Sequence, residues 1–201
     1  MPGSARTDEP DDEALMLAYA GGEASAFDRL YHRHKGGVYR YLLRQCKSPA
    51  AADELFQDIW MNVIRVRATY QPTARFTTWL YTLAHNRLVD HWRANGRVTL
   101  VSTDDDEDDT TRDVVEAVVA SRVDEPAVRT EARALGARLR AALDTLPAAQ
   151  RDAFLLHQEG GLALADIAAL TGVGIETVKS RLRYAMTKLR TELADWREDT
   201  E

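Results

Sequence analysis

Apolar side chains recur every three or four residues along most of this chain, the spacing that lines up one side of an α-helix. Residues from Asp12 to about Tyr19 read as a first short helix, with Asp11 or Asp12 available as cap and Gly21-Gly22 as the stop. Ala26, Phe27, Leu30, Tyr31, Val38, Tyr41 and Leu42 continue the rhythm, and Gly36-Gly37 predicts an irregularity within it. Ser48-Pro49 is a strong helix start, and AAADELFQDIWMNVIRVR after it reads as one long helix. Its buried stripe is Leu55, Ile59, Val63 and Val66, with Asp53, Glu54, Gln57 and Asp58 on the other side. Pro72 makes Tyr70 to Arg75 a loop. From Phe76 to Arg93 the pattern returns: Phe76, Trp79, Leu80, Leu83, Ala84 and Leu88 share one face, and Thr78, Thr82, His85, Asn86 and Arg93 the other.

Past Arg97 the periodicity gives way to Ser102 through Thr111, a block of like charges that repels itself and reads as a linker. Val114, Val115, Val118 and Val119 suggest a brief helix or contact. Glu125-Pro126 restarts helical structure, with an apolar stripe of Leu135, Leu139, Ala142, Leu143 and Leu146 ending at Pro147. A helix from about Ala148 to Gln158 stops at Gly160-Gly161. Then come a short helix from Leu164 to Leu170, a tight turn Thr171-Gly172-Val173-Gly174, and a longer helix from Ile175 to Glu192, the layout of a helix-turn-helix. In the longer helix Val178, Leu182, Ala185, Met186 and Leu189 point inward, and Glu176, Ser180, Arg183, Tyr184 and Thr187 outward. The expected fold is all-α, with two helical domains joined by a flexible acidic linker. The boundaries are 1–10 for a disordered N-terminus, 11–96 for the first domain, 97–125 for the linker and 126–196 for the second domain.

Charge sharpens this picture. The net charge of −6 is by itself unfavourable for binding nucleic acid, but the acids are concentrated in residues 1–13 and 104–116, and the remainder of the chain is +5. A length of 201 residues and 45% hydrophobic content suit two modest cores. No apolar run approaches the ~20 residues that span a bilayer, and the acidic N-terminus is unlike a signal peptide, so the expected location is the cytoplasm. The single Cys46 allows no internal disulfide and no cysteine-based zinc site within the chain. His32 and His34 lie about 200° apart on a helix and cannot share a metal ion. No nucleophile–base pair or phosphate-cradling loop is apparent; neither catalysis nor a cofactor is expected.

The chemistry that remains is recognition. The polar face after Phe76 carries hydroxyls, an amide, an imidazole and a guanidinium, which bond phosphates and base edges, and the nearby aromatics can stack unpaired bases. An ordinary amphipathic helix would account for this segment equally well. The second signal, near the C-terminus, tips the balance.

Both signals fit one family. The segment F76-x-x-W79-L80-x-x-L83-A84-x-N86-x-x-x-D90-x-x-R93 resembles the second conserved region of sigma factors of the extracytoplasmic-function (ECF) type. L146-P147, R151, L164-x-D166-I167-A168, T177-V178-K179-S180-R181-L182 and L189-R190 resemble their fourth region. The resemblance implies a promoter-specificity subunit of RNA polymerase. The first domain would hold the melted minus-ten strand through Tyr70, Arg75, Phe76, Thr77, Trp79, His85, Asn86 and Arg93. The second would read the minus-thirty-five duplex through Thr177, Lys179, Ser180, Arg183, Tyr184 and Arg190. Asp53, Glu54, Gln57, Asp58 and Trp60 would dock on core polymerase, whose β′ coiled coil and β flap are the implied contacts. An anti-sigma factor clamping both domains is a common partner in the family. Glu176 and Tyr184 depart from the small and basic residues expected there, which bears on sequence preference and not on the mode of binding.

The same resemblance gives the linker a mechanical role. The two promoter elements lie on the order of 50–60 Å apart at ~34 Å per duplex turn. A relaxed coil of about 30 residues averages ~30 Å and an extended one reaches ~100 Å, so the linker must be stretched or guided. Two other readings compete: a stand-alone helix-turn-helix regulator, which would not need the aromatic loop, and a sigma mimic that never touches DNA, which would not need the basic face at Lys179, Arg183 and Arg190.

Overall fold

The computed structural model describes residues 9–46, 48–95 and 126–198, the side chains of 126–134 and 195–198 excepted. Among these the chain forms eight α-helices, one short 3-10 turn and no strand. The first domain holds α1 (Asp12–Ala20), α2 (Ala24–Cys46), α3 (Pro49–Val66), the 3-10 turn Arg67–Thr69 and α4 (Phe76–Ala94). The second holds α5 (Pro126–Thr145), α6 (Ala148–Gln158), α7 (Leu164–Thr171) and α8 (Ile175–Glu198). The acidic block, the valines at 114–119 and most of the expected N-terminal segment fall outside the described residues.

The expected start and stop signals act where the local chemistry places them. Asp11 accepts the Ala14 N–H at 2.8 Å, satisfying one of the unpaired amides at the start of α1. Ser48 does the same for α3 by accepting from Ala51, with Pro49 in the first turn, where its missing N–H costs nothing. Gly172 ends α7 at φ +71°, a left-handed conformation that glycine adopts without steric penalty. α4 has no cap in its own sequence; the Glu13 carboxylate of α1 accepts the Phe76 N–H, so one helix closes the end of another.

Each domain has an apolar interior. Met16, Leu30, Leu42, Leu55, Phe76 and Leu80 are fully buried in the first, and Leu143, Leu155, Ile167, Val178 and Ala185 are buried in the second. α2 and α3 pack on each other and against α4, while α8 lies across α5, α6 and α7.

Two expectations need correction. Gly36-Gly37 does not interrupt α2, which runs unbroken from Ala24 to Cys46. A Cβ on Gly37 would lie 2.8 Å from the Tyr81 hydroxyl and 3.2 Å from the Glu159 carbonyl oxygen, so this glycine serves close approach and not a bend. Leu135 is 42% exposed; among the apolar positions expected on α5, burial becomes complete only at Ala142, Leu143 and Leu146.

The two domains also touch. α5 and α6 lie against α2, and a side chain of α7 reaches α4.

Candidate nucleic-acid interface

The loop into α4 is built on aromatics packed edge-on and tilted against one another. Tyr70 lies 5.0 Å from the Trp79 ring and Phe76 5.6 Å from it, and the two are 6.3 Å from each other, so the three rings form a triangle. Phe76 is fully buried and Tyr70 is 7% exposed, so these two rings form the bed of the loop and are not offered to a base. The sequence placed both on the reading surface; their size and apolar character commit them to the core instead. Burial and the neighbouring Glu13, Asp11 and Asp12 push the Tyr70 hydroxyl up to about 12, and that hydroxyl has no hydrogen-bond partner among the described residues. Trp79 is half-buried and keeps an open side.

Around that bed stand the groups that remain available. Arg75 is exposed where α4 begins, and Thr77 beside it is half-buried. Arg75, Thr77, Arg33 and the acidic residues Glu9 to Glu13 line a shallow cleft. Asn86 and Arg93 are exposed farther along the helix, with Asp90 3.7 Å from Arg93. His85 departs from expectation: it is 6% exposed, with Nδ1 3.2 Å from the Tyr41 hydroxyl and 3.3 Å from an Asp152 oxygen. It faces the second domain, because α4 is covered on two sides and not one.

On α8 the expected inward face is inward: Val178, Ala185 and Leu189 are buried, and Leu182 and Met186 pack against them. Lys179 and Arg190 are exposed, and Thr177, Ser180, Arg183 and Tyr184 are half-buried. Lys179 pairs with Glu176 at 2.7 Å, and the Arg183 guanidinium lies 5.4 Å from the Tyr184 ring centroid. The Glu176 carboxylate thus draws Lys179 along the helix surface, a role that its charge alone did not reveal.

On α3, Asp53, Glu54 and Gln57 are exposed. Asp58 accepts from Arg87 Nε at 2.9 Å and Nη2 at 2.6 Å, a forked pair that ties α3 to α4. Trp60 is 5% exposed, with its ring 4.9 Å from Tyr31 and 5.9 Å from Phe27, so it is a core residue and not part of the outer patch. Sequence reading missed Arg87; it also missed Arg40, Arg44, Gln45, Asp152 and Glu159, which meet across more than 100 residues of chain. No periodicity reports pairs that distant.

Every described element is helical, and an aromatic-floored polar helix in one domain with a helix-turn-helix in the other suits a two-domain DNA-binding protein. Comparison with known proteins narrows the class. Residues 30–98 match the model of Sigma-70 region 2, and residues 136–189 match that of Sigma-70, region 4. The chain is 32% identical over 196 residues to the ECF RNA polymerase sigma factor SigE of Mycolicibacterium smegmatis, covering 96% of this chain and 72% of that protein. It is 30% identical over 186 residues to SigK of Mycolicibacterium vanbaalenii, covering 89% and 87% respectively.

The solved structure of CnrH in complex with the cytosolic domain of CnrY shares the fold at TM-score 0.60 and 20% identity, covering 92% of this chain and 99% of that one. RpoE of Bartonella quintana, solved with the anti-sigma factor NepR, gives 0.59 and 21%, covering 84% and 96%. The chain belongs to the ECF sigma factors of the sigma-70 family. It is an alternative sigma factor, and its regions 2 and 4 are the parts with which sigma factors bind core RNA polymerase and promoter DNA. Among the described residues no helix is long and apolar enough to cross a membrane.

Proposed function

We propose that the first domain captures the melted minus-ten strand at the rim of the Tyr70–Phe76–Trp79 bed, and that the second reads the minus-thirty-five duplex with α8. The observation that carries this reading is the exposure of Arg75, Asn86 and Arg93 around an aromatic floor, in a chain whose other domain presents Lys179 and Arg190 from a helix-turn-helix. Taking a base out of the duplex costs a few kcal/mol, which stacking on the open side of Trp79 and bonds from Thr77 and Asn86 offset. In the second domain Lys179, Ser180, Arg183 and Tyr184 lie nearest the bases, and Thr177 and Arg190 nearest the phosphates.

The exposed acids Asp53 and Glu54, with Gln57, form the polymerase-docking patch, and Asp58 contributes through the edge that Arg87 leaves open. The β′ coiled coil is the surface it fits. The chain works in the cytoplasm, catalyses nothing by itself, and is held by an anti-sigma factor that grips both domains. The test is reconstitution with core polymerase on a genomic fragment library, followed by mapping of transcript starts. Initiation at discrete sites sharing two spaced elements is expected; failure to start at any discrete site, with inhibitors absent, refutes the reading.

A further inference from the structure

The first turn of α8 carries a carboxylate where a helix that enters DNA meets the bases first. Glu176, Ser180, Arg183 and Thr187 follow one another at intervals of three and four residues, which sets them in a row along one side of α8. Val178, Ala185 and Leu189 are buried on the opposite side, so the row faces away from the domain. Glu176 stands at its N-terminal end. The Glu176 side chain is 85% exposed, and its Oε1 lies 2.7 Å from Lys179 Nζ. Among the described residues, a Cβ on Gly172 would meet no atom within 4 Å and one on Gly174 only Thr177 Oγ1 at 3.9 Å, so the turn before α8 leaves the approach to Glu176 bare.

A carboxylate at that point is selective because of what it cannot do. It has no proton to donate and its charge opposes phosphates, so it lowers affinity for DNA at large and gains only where a base edge offers a donor. In the major groove guanine offers the acceptors O6 and N7, and thymine offers O4 beside its methyl group; neither gives a carboxylate a partner. Cytosine offers the N4 amino group and adenine the N6 amino group. The neighbouring lysine decides between those two. Lys179, held against Glu176, sets a donor beside the acceptor, and a C·G pair sets its N4 donor beside the O6 and N7 acceptors of guanine, so one pair satisfies both side chains. An A·T pair in the same orientation turns adenine N7 towards the carboxylate and the thymine methyl towards the ammonium. The ion pair also offsets the charge of the carboxylate, which limits its repulsion by phosphates.

Building on the assignment of α8 to the minus-thirty-five duplex, we propose that Glu176 and Lys179 together specify one C·G pair in that element, with the cytosine amino group on Glu176 and the guanine on Lys179. Ser180 and Arg183 then read pairs farther along the row. Glu176 is thus a specificity-determining residue, which narrows the set of promoters and does not add affinity. A first-turn acid also suits the positive end of the helix dipole, but that role is indifferent to the base opposite it.

The test uses holoenzyme assembled from the full chain and core polymerase, on a mapped promoter whose minus-thirty-five element is randomised. Transcript yield is counted for each sequence with wild type, Glu176→Ala and Glu176→Gln. Glu176 is a surface side chain, and thermal melting of each chain checks that the fold is kept. Wild type should prefer C·G about tenfold at one position. Glu176→Ala should lose that preference, with yield falling on C·G promoters and rising on the other three. Its promoter binding should also weaken more steeply with salt, by about one phosphate contact, because Lys179 is released. Glu176→Gln should move the preference towards adenine, whose N6 and N7 suit an amide. A change of equal size on all sequences, or wild-type preferences retained in both variants, overturns the inference and leaves the assignment of α8 standing. A wild-type yield that ignores the upstream element altogether overturns the assignment of α8 itself.

Discussion

α4 and α8 both carry the groups assigned to reading DNA, yet they present them in opposite ways. α4 is sunk into its domain by Phe76, Leu80, Ala84 and Leu88 and covered again at Tyr81 and His85, leaving Asn86, Asp90 and Arg93 as an exposed strip. α8 is held along one side by Val178, Ala185 and Leu189 and leaves Lys179, Thr187, Lys188 and Arg190 in solvent. The difference suits the two tasks proposed for these helices. A helix entering a major groove has to protrude, whereas a site that keeps bases separated needs a rigid floor and a rim.

The comparison can be broken most forcefully at the floor. Leu80→Ala removes a fully buried side chain from the bed of α4 and should cost about 3 kcal/mol of first-domain stability, read as a lowered denaturation midpoint. A change under about 1 kcal/mol would mean that the floor is not the rigid element described. On α8 the equivalent change removes contacts and not structure. Arg183→Ala should leave folding intact and weaken minus-thirty-five binding by about 1–3 kcal/mol, with relaxed preference at one base position. A uniform loss across all sequences would reassign Arg183 to a phosphate.

The docking patch gives a third, smaller effect. Replacing Asp53, Glu54 and Asp58 together by the corresponding amides should lower affinity for core polymerase about tenfold, measured by titration of labelled core. Unchanged core binding would dismiss the patch. Asp58→Asn alone should act mainly on the first domain's stability, since its oxygen is held by Arg87.

What the sequence made legible is local. Capping at Asp11 and Ser48, the helix at Ala148–Gln158 and the turn at Gly172 each depend on neighbours within a few residues, and each lies where the local chemistry puts it. The inward face of α8 was readable for the same reason. The misreadings at Tyr70, Phe76, Trp60, His85 and Gly37 share a different cause. Each of these residues is settled by a partner on another helix, and a tyrosine or histidine suits a DNA surface and a domain seam equally well. Periodicity names the face of a helix but not what lies against it.

The finest distinction between the two sides of α4 is in their response to alkali. On the seam side, burial and the Asp152 carboxylate hold the Tyr41 hydroxyl well above its ordinary value of 10.0, and burial with Glu159 raises Tyr81 in the same direction. A group whose folded-state pKa exceeds its unfolded one keeps its proton more firmly in the packed form. Its contribution is therefore whole below pH 10.0 and declines as pH climbs through the raised folded value. Asp152, Glu159, His85, Arg40 and Arg44 face the same seam, and Tyr41 and Tyr81 are the two hydroxyls whose protons it holds more firmly. Small-angle X-ray scattering measured from pH 8 to 11 should show the chain expanding in the upper part of that range. Tyr41→Phe should flatten the change while leaving the floor of α4 intact, and an alkaline response identical in that variant would remove Tyr41 from the seam's energetics.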